Sequence, residues 1–295
     1  MSHKYNLSAF LITCYPQYVE EWISYYLSVG VEHFGIYDND ETGKVHEKLI
    51  PYINEGLVDY EYHSKWFREF NLFHKYLSEH GQESKWIIKA DNDEFIFPEN
   101  YRTLIEEING IERIYKSRHT REIGFIYLDW IEFGGCGILK YENKPMMERF
   151  KYCSDYNLDP TIELGHSLNE TTQGKIILNP LSCRYTDCWD HVPMRLYDGY
   201  DCINVAGEVI KDNSLLPHKN LFLHHYRYRS LEEFNDQRLN VKTIYNGKVC
   251  TEEDMDSWED HNSVEYFNIK NDLADRFLPK LYRTMKHYRN LNEHI

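Results

Sequence analysis

Four apolar segments alternate with three amphipathic segments over the first 95 residues, and this alternation constrains the fold more than any other feature. The apolar segments "SAFLITCY", "EHFGIYDND", "LVDYEYH" and "KWIIKADND" are typical of buried strands. The segments between them, "QYVEEWISYYLSVG", "KVHEKLIPYINEG" and "FREFNLFHKYLSEHG", have bulky residues at helical spacing and end at glycine. The alternation predicts an α/β fold with a mostly parallel central sheet, flanked by helices and built by right-handed crossovers.

The pattern changes after residue 100. "YRTLIEEINGIERIYKS" predicts a helix and "EIGFIYLDWIEFGG" a long strand, whereas short elements and loops are predicted from about residue 140 to 225. "LEEFNDQRLNVKTIYNG" and "LADRFLPKLYRTMKHYRNL" again have helical spacing. Since no repeat or low-complexity linker interrupts the chain, we predict one domain over residues 1–240 and a C-terminal helical extension over residues 241–295.

The charge balance excludes some classes of partner. The 48 Asp and Glu residues outnumber the 33 Lys and Arg residues, for a formal net charge of −15. Such a surface repels phosphate backbones and acidic membranes, which argues against general nucleic-acid binding. No apolar run of about 18 residues predicts a transmembrane segment, and the N-terminus lacks a secretory signal pattern. We therefore expect a cytoplasmic protein, with its oligomeric state left open.

The chain has seven cysteines, an odd number, at irregular spacing. This pattern argues against a disulfide framework and favours a reducing compartment. Cys183, Cys188 and His191 could form part of a zinc site. No second matching pair follows, so small buried hydrophobic residues are the favoured interpretation of these cysteines.

Two DND motifs follow predicted strands. The first covers residues 38–40 and the second residues 91–93. In open parallel sheets ligands bind beyond the carboxyl ends of the strands, so the two motifs are expected to face one cleft. Asp91 and Asp93 can surround one hard cation, Mn²⁺ or Mg²⁺, which would balance their repulsion. The alternative is a plain turn, which Asp and Asn favour. A closed ion pair of both side chains with lysine or arginine would exclude the metal interpretation.

Three common catalytic signatures are missing from the sequence. It has no GxGxxG after the first strand, no GxxxxGK[ST] and no GxSxG. Their absence argues against a dinucleotide-binding enzyme, a P-loop enzyme and an α/β-hydrolase. The acidic DxD motif is what remains as a candidate site.

Five segments, in order, resemble glycosyltransferase family 92 and related family 2 enzymes. They are "VEEWISYYLSVGVEHFGIYDND", "KWIIKADNDEFIFP", "LDWIEFGGCG", "GKIILNP" followed by His191, and "LHHYRYRSLEEF". The chain departs from the family at "TCYPQ", where an Asn-Glu pair is common, at Cys136, which replaces serine, and at Arg229, which replaces lysine. The resemblance implies a GT-A (Rossmann-like) fold, with a nucleotide-binding half (1–100) and an acceptor-side half (101–240).

The resemblance also implies an activity and its cofactor. The family transfers a sugar from a nucleotide-diphosphate sugar to a hydroxyl of a glycan or glycoconjugate acceptor, so we expect a metal-dependent, inverting hexosyltransferase that uses a UDP-sugar and Mn²⁺ or Mg²⁺. Asp38 and Asp40 would contact the base or ribose. Asp91 would approach the ribose and metal, Asp93 would ligate the metal, and His225 would be the far metal ligand.

Further roles follow from the same resemblance. Lys175 and Arg229 would neutralise diphosphate oxygens, and Trp130 would line the sugar pocket. His224 is an alternative to His225 as the metal ligand. An ordinary solvated cation is the alternative for Lys175 and Arg229, and a core strand is the alternative for Trp130.

An inverting mechanism needs a carboxylate that accepts the proton of the acceptor hydroxyl. Glu132 and Asp190 are the candidate catalytic residues. Asp129 and Glu163 remain open as alternatives.

The acidic pattern leaves two other functions open. Metal-dependent hydrolases and nucleotidyltransferases also gather carboxylates at strand ends. A sugar nucleotidyltransferase is expected to carry a glycine-rich basic loop after its first strand, where "TCYPQYVEEW" has neither glycine nor cation. A non-catalytic carbohydrate-binding protein of the same fold would bind no nucleotide in a metal-dependent way.

Overall fold

The computed structural model describes residues 3–63, 69–156, 161–162, 174–188, 195–211, 214–236 and 265–292. The chain divides into two compact units. The first unit comprises residues 1–130, 159–223 and 279–295, and the second unit comprises residues 131–158 and 224–278. The domain boundaries predicted at residues 100 and 240 stay predictions.

Thirteen strands and seven α-helices occur in the described ranges. The strands are β1 (Tyr5–Thr13), β2 (His33–Asp38), β3 (Val58–Tyr62), β4 (Ser84–Lys89), β5 (Glu94–Pro98), β6 (Glu122–Gly134), β7 (Tyr152–Cys153), β8 (Thr161–Ile162), β9 (Gly174–Leu178), β10 (Tyr200–Asn204), β11 (Ser214–Leu215), β12 (Leu221–His225) and β13 (Ile269–Lys270). The helices are α1 (Pro16–Ser28), α2 (Lys44–Asn54), α3 (Glu69–His80), α4 (Leu104–Lys116), α5 (Met146–Arg149), α6 (Leu231–Asn235) and α7 (Leu278–Asn292).

The sheet of the first unit has the strand order β3-β2-β1-β4-β9-β6. Strands β3, β2, β1 and β4 are parallel to one another, whereas β9 is antiparallel to both β4 and β6. β10 pairs with β6 in parallel. The predicted α/β fold with a mostly parallel central sheet is therefore confirmed. All six residues of β2 are buried, as expected for a parallel strand covered on both faces.

Close packing of α3 against β2 depends on Gly35. A Cβ at this position would lie 2.3 Å from the Cε2 atom of the buried Tyr76 ring. The ring also stacks on Phe10 of β1, with ring centroids 4.8 Å apart. Glycine in a strand often marks such a close approach, so Gly35 is required by packing.

Helix α1 is attached to β5 by two buried tyrosines. Pro16 occupies the first turn of α1, where its missing N–H leaves no intrahelical bond unmade. Tyr25 Oη donates to the Ile96 carbonyl at 2.7 Å, and Tyr26 Oη donates to the Glu94 carbonyl at 3.1 Å. These bonds hold the start of β5, and with it the end of the second DND motif, against the helix.

The C-terminal helix α7 packs within the first unit. Its Tyr288 stacks on Tyr52 of α2 with ring centroids 3.9 Å apart and donates to Glu55 Oε2 at 2.8 Å. The sequence predicts a continuous helix over residues 273–291, but a 3₁₀ turn at Leu273–Arg276 precedes α7. Pro279 then lies in the first turn of α7, the place where proline is tolerated. No helix in the described ranges is long and apolar enough to cross a membrane.

The second unit has a small sheet and short helices of its own. The end of β6 pairs with β7, and β7 pairs with β13, both antiparallel. Arg149 of α5 makes a two-pronged ion pair with Glu233 of α6, at 2.7 and 2.8 Å. Both side chains are only 4% exposed, so this planar pairing fixes α5 against α6. Of the helix predicted from residue 231 onward, Leu231–Asn235 is helical, and residues 237–264 lie outside the described residues.

Candidate functional site

The second DND motif forms a tight turn between β4 and β5. The Glu94 N–H donates to the Asp91 carbonyl at 3.0 Å. The Asp91 N–H in turn donates to Glu94 Oε2 at 2.7 Å. The turn that Asp and Asn favour is therefore present, and Glu94 closes it with both its backbone and its side chain.

Two lysines face this turn. Lys175 of β9 places its Nζ 2.8 Å from Asp91 Oδ2 and 3.5 Å from Glu94 Oε2. Lys89 Nζ lies 3.9 Å from Asp91 Oδ1. Lys175 is predicted to neutralise diphosphate oxygens, and its contact with Asp91 is a feature that the sequence does not predict. These lysines therefore supply part of the positive charge that balances the acidic motif. A lysine ion pair, which argues against a bound metal, is present at Asp91.

Glu94 is fully buried beside this ion pair. Burial raises the pKa of the Glu94 carboxyl well above its usual range, with Lys175 opposing the rise and Asp91 and Asp93 adding to it. Among the described residues, Glu94 Oε1 and the neighbouring Asn92 Nδ2 are buried without a hydrogen-bond partner. Buried polar atoms of this kind are usually satisfied by a partner group, water or ligand, so the motif retains unused hydrogen-bonding capacity.

The donor set suits a hard divalent cation. Carboxylate oxygens are the ligands that Mg²⁺ and Mn²⁺ prefer. The Asp91 side chain is 41% exposed and shared with Lys175, whereas Asp93 is 8% exposed. Within the described part of the chain, no three His, Cys, Asp or Glu side chains converge as a ready metal cluster. A cation held here would therefore need further oxygen ligands from donor or water.

The first DND motif lies at the same edge of the sheet. Thr13 at the end of β1 pairs with Asp38, and Phe10 of β1 pairs with Lys89 of β4. Since β1, β2 and β4 are parallel, their carboxyl ends point the same way. The predicted placement of both motifs at strand ends is confirmed, whereas a shared cleft stays a prediction.

The carboxylates of the first motif already have protein partners. Asp38 is fully buried and accepts from Tyr60 Oη at 2.7 Å and from the Asp40 N–H at 2.6 Å. Asp40 accepts from the Thr42 N–H at 2.9 Å and the Val45 N–H at 3.1 Å, at the first turn of α2. The nucleotide contacts proposed for Asp38 and Asp40 stay predictions, and the structure shows a structural role for both.

The comparison with known families decides the identity. The model of glycosyltransferase family 92 matches residues 13–265. The chain belongs to glycosyltransferase family 92. It is therefore a glycosyltransferase, as the five sequence segments predicted. No curated protein matches the sequence.

Solved structures resemble this glycosyltransferase only distantly. A 4-diphosphocytidyl-2C-methyl-D-erythritol synthase from Anaerococcus prevotii DSM 20548 is 9% identical, with 95% of this chain and 96% of that chain covered and a TM-score of 0.28. A UDP-glucose pyrophosphorylase complexed with UDP-glucose is 8% identical, with 59% of this chain and 76% of that chain covered and a TM-score of 0.31. Likenesses this weak carry no argument about activity, and the fold class rests on the sheet itself.

The remaining predicted residues of the glycosyltransferase fall into both units. In the first unit, Trp130 is half-buried. Its neighbour Asp129, an alternative base, has Oδ2 3.8 Å from His218 Nε2. Asp190, Glu163 and His191 lie outside the described residues.

Three predicted residues belong to the second unit. Glu132 is half-buried, with Oε1 3.8 Å from Arg227 Nη1. His225 and Arg229 are buried, at 8% and 1% exposure. The catalytic, metal-binding and diphosphate roles proposed for these residues stay predictions.

His224, which directly precedes His225 in the chain, is a core residue. It is fully buried, packs against Phe133 with ring centroids 4.4 Å apart, and places Nδ1 3.3 Å from Tyr226 Oη. These contacts place His224 in the packed interior of the second unit, and the choice between His224 and His225 as the metal ligand stays a prediction.

Glu94 and Lys89 are the residues that sequence reasoning passed over. Glu94 stands directly before the apolar run "FIF", and Lys89 directly after "WII". A charged residue at the end of a buried apolar run is seldom buried unless it has a partner. That signal could have identified both, although not their partners.

Proposed function

We propose that this glycosyltransferase moves a sugar from a nucleotide-diphosphate sugar, in the first instance a UDP-sugar, to a hydroxyl of a glycan or glycoconjugate acceptor. The transfer inverts the anomeric carbon and depends on Mn²⁺ or Mg²⁺. The observation that carries the proposal is the second DND motif, an acidic turn at the carboxyl end of β4 in a member of glycosyltransferase family 92.

Asp93 and Asp91 are the residues that would hold the cation. When bound, the cation stabilises negative charge on the departing diphosphate as a Lewis acid. Lys175 keeps Asp91 in place and adds a second positive charge beside the same carboxylate. Glu94 fixes the backbone of the turn through its bond to the Asp91 N–H. This arrangement holds the charged groups in position before the donor binds, which favours electrostatic catalysis.

The acceptor hydroxyl must lose a proton as the new glycosidic bond forms, and a carboxylate within hydrogen-bond reach takes it. Glu132 and Asp190 are the proposed candidates for this base. His225 and Arg229 keep the roles that the family resemblance implies, as far metal ligand and diphosphate-binding cation.

Nucleotide binding gives the first test. Melting temperatures are measured with UDP, GDP and CMP compounds, each with and without Mn²⁺, for the wild type, Asp93→Asn and the control Glu79→Gln. Glu79 lies on the exposed surface of α3 beside Lys75. Glu79→Gln therefore removes one acidic charge at a position outside the motif. We expect Mn²⁺-dependent stabilisation by one nucleoside diphosphate in the wild type and in Glu79→Gln.

The same measurement has clear contrary outcomes. Stabilisation by the nucleotide that needs no Mn²⁺, or that persists in Asp93→Asn, would contradict the metal assignment. Binding of sugar without binding of any nucleotide would favour the alternative of a non-catalytic carbohydrate-binding protein. The configuration of the product at its anomeric carbon, read by NMR after transfer to an acceptor, tests inversion separately.

A further inference from the structure

Two buried thiols meet in the segment between β9 and β10 of the first unit. The Sγ atoms of Cys183 and Cys188 are 3.0 Å apart, and the two residues are 5% and 1% exposed. Neither sulfur is assigned to the transfer reaction. Neither interpretation of these cysteines from the sequence, as small hydrophobic residues or as part of a zinc site, predicts a direct contact between the sulfurs.

The surrounding structure fixes both ends of this pair. Ser182 Oγ donates to the Gly124 carbonyl of β6 at 3.1 Å. His74 of α3 places Nε2 2.6 Å from the Cys188 carbonyl. The backbone on each side is thus attached to a different element of the first unit, so the sulfur contact is imposed by the fold.

The distance argues against a shared zinc ion. Two thiolates bound to one tetrahedral Zn²⁺ at about 2.3 Å stand about 3.8 Å apart, from the bond length and the tetrahedral angle. The observed 3.0 Å is shorter and lies within hydrogen-bonding distance, with either thiol as the donor. The bond to Cys188 lowers the pKa of the Cys183 thiol, whereas the same bond and burial raise the pKa of Cys188. The thiolate is the form that reacts with oxidants.

We propose that Cys183 and Cys188 form an oxidisable dithiol that hydrogen peroxide converts into a disulfide. The Cys183 thiolate attacks one peroxide oxygen, and the O–O bond breaks. The products are a sulfenic acid at Cys183 and hydroxide, which takes up a proton to become water. Cys188 then attacks the sulfenic sulfur, the S–O bond breaks, and the departing hydroxide leaves as water with the Cys188 proton. In total, two thiols and one peroxide give one disulfide and two waters.

Geometry and access both suit this step. A disulfide has an S–S bond of about 2.0 Å, so the sulfurs need to approach by only about 1 Å. Hydrogen peroxide is a small oxidant, and Cys183, which it meets first in this scheme, is the more exposed residue of the pair, at 5% against 1%. In the sequence the pair lies between Lys175 and Asp190, two predicted site residues. The modification would therefore cross-link the segment that joins them, and the proposal stands whether or not the proposed donor and metal are correct.

Peptide mapping tests the proposal directly. The reduced full-length protein is treated with peroxide under native conditions, alkylated, and digested with trypsin without reduction. Trypsin cleaves after Lys175, Arg184 and Arg195, so Cys183 and Cys188 fall in the separate peptides 176–184 and 185–195. We expect these peptides to be joined and to separate on reduction. The linked pair should form at least ten times faster than any linkage that contains Cys202 or Cys153.

Variants separate the two steps. In Cys188→Ser and Cys188→Ala, oxidation should stop at a Cys183 sulfenic acid that dimedone traps. Two substitutions are used so that the test remains valid if one variant misfolds. Cys202→Ser, a matched loss of one thiol, should leave the linked peptides unchanged. The proposal is overturned if both cysteines are recovered fully alkylated after peroxide treatment. It is also overturned if the linkage forms equally fast in urea, or if native mass spectrometry finds zinc bound in a Cys183-dependent way.

Discussion

The two DND motifs have the same three residues at the same edge of one sheet, yet their carboxylates have different surroundings. In the first motif, each carboxylate accepts hydrogen bonds from groups within or near the motif, such as Tyr60 Oη and the Val45 N–H. In the second, Asp91 faces two lysines, and Glu94 Oε1 is buried without a hydrogen-bond partner among the described residues. The first motif is a finished structural unit, and the second has charge and hydrogen-bonding capacity available for a ligand.

The residues that follow each motif explain the difference. "ETGKV" after the first motif turns the chain into helix α2, whose first N–H groups bind Asp40. "EFIFP" after the second motif continues as the buried strand β5, so Glu94 is carried into the interior beside Asp91. In this chain, the motif that a helix follows is bonded to that helix, and the motif that a strand follows is accompanied by a buried carboxylate.

Replacing Asp93 gives the largest expected effect. If Asp93 is a direct cation ligand, Asp93→Ala should lower kcat by a factor of about 10²–10³, the usual loss when one charge-stabilising group is removed. The melting temperature should change little. Turnover is measured as release of the nucleoside diphosphate, and Glu79→Gln, on the exposed surface of α3, is the control. Full activity in Asp93→Ala would remove the functional distinction between the motifs.

Replacing Lys175 tests the charge balance of the second motif. Lys175→Met leaves Glu94 and Asp91 without their closest cation, so the free energy of unfolding should fall by about 2–4 kcal/mol. This is below the value for fully buried pairs because Asp91 is partly exposed. Urea unfolding measures the change, and adding Glu94→Gln should restore part of it. A Lys175→Met variant as stable as the wild type would show that the ion pair is not needed for folding.

Replacing Asp40 tests the structural role of the first motif. Asp40→Ala removes acceptors from the N–H groups of Thr42 and Val45, and loss of such bonds at a helix start costs about 1 kcal/mol. We expect a lower melting temperature with kcat close to that of the wild type. A loss of turnover without a loss of stability would instead support the predicted nucleotide contact.

The smallest expected effect is the contribution of Asp38 to the pH dependence of stability. Burial raises the pKa of Asp38, with the Asp40 N–H and Tyr60 opposing the rise. The folded state therefore binds this proton more tightly than the unfolded state, whose pKa is about 3.9. The contribution of Asp38 to stability is present below that value and is lost as pH rises through the folded pKa. The free energy of unfolding is measured between pH 3.5 and 7 for the wild type and for Asp38→Asn. Relative to Asp38→Asn, the wild type should lose stability as the pH rises.

The fold was largely predictable because its signals are local. Strand and helix periodicities repeat within segments such as "SAFLITCY" and "QYVEEWISYYLSVG", and parallel pairing follows from alternation. The candidate site was predictable only in part. The position of Asp91 and Asp93 at a strand end follows from local order, whereas the contact of Asp91 with Lys175 joins residues 84 positions apart.

The sequence by itself therefore determined the layered α/β architecture, the two acidic strand ends and membership of a sugar-transferring family, since each depends on residues close together in the chain. Only the tertiary structure decided which acids are structurally satisfied, which lysine opposes Asp91, and that Cys183 meets Cys188. The physical reason is that charge balance and burial depend on neighbours in space. Those neighbours come from strand β9 and the segment after it, whose place beside β4 no local pattern specifies.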